Sequence, residues 1–293
     1  MEVAIHINKA HQFQPEEIKT HLRALYHNDS SFEELPTKIS RIYIGDEFCF
    51  NRRPTLTSLK KSYLFAEKNG LKITLLTPVL TNDGIEEFAK LFDFVNAVDP
   101  HAELVINDWG VLAFLRTKYP SFKISLGRLL NKGFKDPRLP DPGKAAAITK
   151  GTKQLLNQCT FDLVTYQKKM MEMGVIRLER DIMPYATALP ENSHLLRTSI
   201  YFPFGYITSG RVCWIASFNQ KTGEKFVPGN SCTQPCNGIA LILKNDNVSL
   251  KVIQSGNTFF YLYPFKMLQN LLLHAQDQDL RIVYQGFHIG QTL

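Results

Sequence analysis

Cysteine is scarce in this chain of 293 residues: there are five, an odd number, too few and too scattered for the disulfide framework of a small secreted domain. Free thiols are the expectation. No apolar run approaches the length of a membrane-spanning helix, so a soluble protein without a membrane span is expected. The opening MEVAIHINKAHQF lacks the basic start, apolar middle and small-residue cleavage site of a secretory signal, which points to the cytoplasm. An HExxH zinc helix and a GxSxG elbow are both missing, and no histidine neighbours the clustered cysteines in sequence, which argues against the usual routes to peptide hydrolysis. The net charge of +7 permits an anionic partner, but without a basic run interleaved with aromatics RNA is possible and unsupported.

The few cysteines that are present are unevenly placed. Residues 209–236 read SGRVCWIASFNQKTGEKFVPGNSCTQPC and hold three of the five, and Cys49 lies far upstream in IYIGDEFCFNRR. Thiolates are soft ligands for zinc or iron–sulfur clusters, and four of them complete such a site. A CxxxC pair with one cysteine a loop upstream and another most of a domain away fits no compact zinc finger. The remote ligand requires the fold to be built before the site closes. Cys49, Cys213, Cys232 and Cys236 are therefore expected to hold one metal centre, with iron–sulfur against zinc left open by the spacing, and with unrelated buried thiols as the alternative. Cys159, in LLNQCTFDL, is expected in the core.

Strand and helix patterns alternate along the chain. Residues 3–7, 39–44, 71–77, 94–98, 104–107, 122–126, 161–165 and 175–179 read as strands, with helices expected over 15–26, 55–69, 83–92, 109–119 and 167–173. Asp83 and Glu86 look like the capping box of the third helix. Such alternation implies parallel pairing through right-handed crossovers and a TIM-barrel-like (β/α) barrel, with a doubly wound open sheet as the alternative. Residues 238–263 read as an antiparallel β elaboration, followed by a helix over 265–275 and a last strand over 280–284, all within one domain spanning 1–293.

In a barrel of this kind the reactive groups follow the C-terminal ends of the strands. That rule selects Asp46, Glu47 and Cys49; Asn107 and Asp108; Gly127, Arg128 and Asn131; and the segment from Glu179 to Asp181. Asp46, Glu47, Asp108 and Glu179 are the candidate catalytic carboxylates, although Asp108 also reads as a helix cap. Arg52, Arg53 and Arg128 are candidates for an anionic substrate, because guanidinium forks suit carboxylates. The loop 131–144, NKGFKDPRLPDPGK, is basic and rich in proline and glycine, and is expected to be a lid or partner surface near the mouth.

The lone cysteine in IYIGDEFCFNRRPTLTSL, then TSGRVCWIAS, a loop and CxxxC, together resemble the peptidase U32 family, in particular its small iron–sulfur members of the UbiU/UbiV type. The resemblance runs over about residues 38–237. It implies a 4Fe-4S cluster on Cys49, Cys213, Cys232 and Cys236, and oxygen-independent hydroxylation of a ubiquinone precursor or an RNA base. It also implies a possible heterodimer with a second U32-family protein and a small anionic or quinone-like substrate. The collagenase-like peptidase activity for which the family is named, and a zinc-stabilised binding or assembly module, are the alternatives.

Overall fold

The computed structural model describes residues 1–7, 16–26, 38–138, 147–184, 195–218, 220–228, 232–267, 269 and 280–286. Eight parallel strands close into a barrel: β1 (Glu2–His6), β2 (Arg41–Gly45), β3 (Lys72–Leu76), β4 (Glu103–Ile106), β5 (Lys123–Leu126), β6 (Val175–Arg180), β7 (Arg197–Phe202) and β12 (Leu280–Tyr284). β12 pairs with both β1 and β7 and seals the ring. Helices α1 (Glu16–Leu25), α2 (Leu56–Lys68), α3 (Asn82–Val98), α4 (Trp109–Lys118), α5 (Lys150–Leu156) and α6 (Val164–Glu172) lie between strands. Their apolar faces bury Leu59, Phe88, Phe92, Val95, Val111 and Leu115 against the barrel wall. The barrel is thus the TIM-like architecture expected from the alternation. Among the described residues no helix is long and apolar enough to cross a membrane.

Three local expectations are corrected. Residues 94–98 are the last turn of α3, not a strand: the helix started at Thr81, whose hydroxyl accepts Gly84 N at 3.2 Å, runs on through Phe92 and Val95 on one buried face. That cap replaces the expected Asp83/Glu86 box. Residues 161–165 form a 3-10 turn (Thr160–Asp162) and the start of α6, because Asp162 accepts the Cys159 N–H at 2.6 Å and bends the chain. The strand 280–284 belongs to the barrel itself and not to its elaboration. Of the helix expected over 265–275, most lies outside the described residues.

The barrel interior is polar at its base. Arg41, Glu103, Arg177 and Arg281 come from β2, β4, β6 and β12, which alternate around the ring and so form one layer. Arg281 bonds Glu103 at 3.0 Å and Glu2 at 2.7 Å, and Arg41 bonds Glu2 at 2.8 Å. Two residues further along the same strands, Tyr43, Val105, Glu179 and Val283 make the next layer that this set of strands contributes. Ionic packing at the bottom leaves the opposite, C-terminal end for the site.

A second, antiparallel sheet, in the order β8 (Phe204–Ser209), β11 (Thr258–Leu262), β10 (Val252–Ser255), β9 (Ala240–Leu243), lies against that end. Phe204, Tyr206, Ile253 and Phe260 pack there with Phe48 and Leu129 from barrel loops. The 238–263 elaboration is therefore real, and it recruits β8 from upstream.

Candidate metal centre and cavity

β2 ends at Gly45, whose φ is 110° and where a Cβ would stand 2.6 Å from Leu76 O. The chain turns there, and Asp46 Oδ1 accepts the N–H groups of Phe48 and Cys49 at 2.7 and 2.8 Å. This turn fixes Cys49 at the mouth. From the other end of the chain, Cys213 caps the short helix α7 (Trp214–Ser217), its sulfur accepting Ala216 N at 3.4 Å. The Cys232 sulfur accepts Gln234 N at 3.3 Å. Two ties bring these segments together. Gln234 Nε2 donates to Asn51 O at 2.5 Å, and the Asn257 amide donates to Phe48 O and Gly210 O at 2.7 and 2.6 Å. Cys236 packs beside Gly256, where a Cβ would stand 3.6 Å from its sulfur.

All four cysteines line one cavity of about 1020 Å³. Their sulfurs sense one another: Cys49 and Cys236 interact electrostatically, as do Cys213 and Cys232, and Cys213 and Cys236. Two of the sulfurs receive a backbone hydrogen bond, Cys213 from Ala216 N at 3.4 Å and Cys232 from Gln234 N at 3.3 Å. Donors converging on sulfurs stabilise thiolates and tune a bound cluster, so the donor set fits an iron–sulfur centre. Among the described residues no group of three or more His, Cys, Asp or Glu side chains is drawn together to hold a metal ion.

Burial pushes the Cys49 thiol up to about 12, with the charge of Asp46 adding to it, and burial also raises Cys213 and Cys236. A nucleophilic cysteine shows the opposite, a depressed value. Cys159 is elsewhere, 5% exposed, in contact with the Asp162 and Arg180 side of the core.

The expected mouth residues do converge, but chiefly on one another. Glu47 and Arg128 are buried together: Arg128 Nε and Nη2 donate to Glu47 Oε2 at 2.9 and 2.6 Å. Arg128 Nη1 donates to Asp181 at 2.8 Å, and its guanidinium stacks 3.6 Å over Tyr201. Lys135 Nζ reaches Asp181 at 2.5 Å and lies 3.4 Å over the Tyr206 ring, so the near part of the basic loop dives into the mouth; residues 139–144 lie outside the described ones. Arg53 pairs with Glu87 and stacks on Phe50, while Arg52 pairs with Asp46 at 3.1 Å. All three expected anion-binding arginines are thus engaged by carboxylates. Asp108 caps α4 through Gly110 N at 2.6 Å. Asn107 clamps Thr77 O and Leu129 N, both at 3.0 Å. Glu179 lies inside the barrel, accepts Tyr43 OH at 3.3 Å, and is raised by burial to about 7.

Three residues on the cavity wall had no signal in local motifs. His6 stands at the C-terminal end of β1, its Nε2 2.7 Å from Gly45 O. A carbonyl accepts only, so Nε2 carries the proton and Nδ1 is the bare nitrogen in the neutral ring. Burial holds that imidazole below its ordinary value. Lys132 and Arg211 are the other two, basic groups on the rim. The strand-end rule applied to 3–7 would have selected His6.

The fold and site define an eight-stranded parallel barrel with a second sheet at its mouth and a four-thiol cavity between them. No family model matches the chain, and no curated protein matches it. Among solved structures, a U32 peptidase aligns over 98% of this chain and 93% of its own at 8% identity, with a TM-score of 0.40. A glycoside hydrolase family 18 N-acetylglucosaminidase from Paenibacillus barengoltzii aligns over 97% and 94% at 12% identity and TM-score 0.35. The spore cortex-lytic enzyme SleL of Bacillus megaterium aligns over 98% and 70% at 9% identity and TM-score 0.36. Scores this low bear on neither substrate nor reaction, and the fold stands on the strand pairing itself.

Proposed function

We propose that this chain is an iron–sulfur protein of the U32 type, with Cys49, Cys213, Cys232 and Cys236 as the cluster ligands. In this reading it is part or all of an oxygen-independent hydroxylase acting on a small molecule in the adjacent cavity. The observation that supports it is the meeting of four thiols on one cavity wall, Cys49 from the loop after β2 and three from residues 213–236, with backbone N–H donors on the sulfurs of Cys213 and Cys232. When bound, such a cluster supplies one-electron chemistry that side chains lack. The cavity size suits a small organic ligand. Phe48, Trp109, Phe204 and Tyr206 offer ring faces, and Lys132 and Arg211 offer charge for an anionic group. His6, neutral, offers a proton acceptor on the same wall. A quinone precursor or a nucleobase meets these demands, and a second U32-family chain is the partner to co-express. The peptidase reading gains nothing from Cys49, whose thiol burial raises where a nucleophile needs it lowered.

Anaerobic reconstitution with iron and sulfide tests the proposal. Brown protein with equal iron and sulfide, bleached by dithionite, is expected; colourless protein that takes up one zinc and no sulfide overturns it.

A further inference from the structure

The Arg52 side chain is 7% exposed although it borders the cavity. Its Nε stands 3.1 Å from Asp46 Oδ2, on the same cavity wall as the four cysteines, and its positive charge pulls the Cys49 and Cys236 thiols down against the effect of burial. Asp46 places its other oxygen on the N–H groups of Phe48 and Cys49. One carboxylate thus shapes the Cys49 turn and holds a buried cation on the wall that the four cysteines line. The adjacent Arg53 does neither, being turned outward to Glu87 and Phe50.

We propose that the Asp46–Arg52 pair sets the reduction potential of the centre held by the four cysteines. Arg52 favours the reduced, more negatively charged form, and Asp46 partly offsets it. The inference rests on the iron–sulfur reading above. Its physical basis is that net charge and hydrogen bonds to sulfur govern the potentials of such centres, and that burial weakens solvent screening of both charges. A guanidinium stays protonated at any working pH, so its influence is constant. This gives Arg52 a role other than the substrate-binding one suggested by its sequence.

The test is an anaerobic dithionite titration of the reconstituted protein, monitored by absorbance and electron paramagnetic resonance, for wild type, R52Q, D46N and R53Q. R52Q is expected to lower the reduced-to-oxidised ratio at fixed potential by about tenfold, about 59 mV for one electron. D46N, which keeps the acceptor for the Cys49 turn, is expected to shift the midpoint the opposite way. R53Q is expected to match wild type. Opposite signs distinguish a charge effect from general loosening, which would move both variants together. Shifts of the same sign, or none, in loaded protein overturn the inference alone. If R52Q takes up no iron, D46N decides by itself: an unchanged or lowered midpoint overturns it. Wild-type protein that binds neither iron nor sulfide overturns this inference together with the iron–sulfur reading.

Discussion

Arg128 and Glu47, from loops after β5 and β2, meet at the barrel mouth with Nε and Nη2 both donating to Glu47 Oε2, at 2.9 and 2.6 Å, and with side chains 1% and 0% exposed. Asp181 and Gln285 complete the guanidinium's partners at 2.8 and 3.1 Å. The pair ties the loop after β2 to the loop after β5 at the C-terminal end of the barrel.

Removing one member leaves a buried charge without its partner, which costs about 3–5 kcal/mol. Glu47→Ala and Arg128→Ala are each expected to destabilise the fold by that amount in urea unfolding. The double variant is expected to cost less than the sum of the two, since each single change already removes the same contact. Full additivity would show that the two side chains do not interact.

The barrel interior carries two carboxylates with opposite pH behaviour. Burial raises Glu179 to about 7. Its folded value lies above the unfolded one near 4.5, so the folded state binds the proton more tightly and stability from this group declines as pH rises from about 4.5 to 7. Burial opposes ionisation of Glu103 as well, but the hydrogen bond and charge of Arg281, with Arg41 and Arg177 behind, outweigh it and hold the carboxyl down at about 2. Stability from Glu103 is present above about 4.5 and is lost as pH falls towards 2. Glu179→Gln is therefore expected to gain about 3 kcal/mol relative to wild type on going from pH 4.5 to pH 8. Denaturant unfolding at the two pH values measures this, and parallel losses in both proteins would refute it.

Loss of a ligand sulfur is expected to abolish iron uptake. Serine at position 49, 213, 232 or 236 should each give colourless protein after reconstitution, whereas Cys159→Ser should stay brown, because Cys159 lies outside the cavity. Equal loss from all five variants, measured as iron per chain, would show that the ligand set is misassigned.

Gly127 lies where a Cβ would come within 2.2 Å of Asn107 Oδ1. Gly127→Ala is expected to push Asn107 off Thr77 O and Leu129 N and to cost about 1–3 kcal/mol. Thermal unfolding reads this directly, and an unchanged midpoint would mean that the Asn107 clamp yields without loss.

Local chemistry was legible wherever its cause lies within a few residues. The 3.6 and 2 periodicities of residues 55–69, 71–77 and 104–107 marked α2, β3 and β4, and Asp108 caps the helix next to it. The same local rules misread 94–98 and 161–165, where a remote cap at Thr81 and the turn-forming Asp162 override a β-like composition.

What the amino-acid order alone determined is the alternation of strands and helices that a barrel requires, and the spacing of the four cysteines that come to line one cavity. Only the tertiary structure decided which partner each charge takes. Arg128 reads as free on paper, yet it is committed to Glu47, 81 residues away, and to Gln285, 157 residues away. It also made β12 the strand that closes the ring, and it placed His6 on the cavity wall with cysteines from the other end of the chain. The physical reason is range. Periodicity and capping act over one or two turns, whereas ion pairing and barrel closure depend on distances that exist only once the chain has folded.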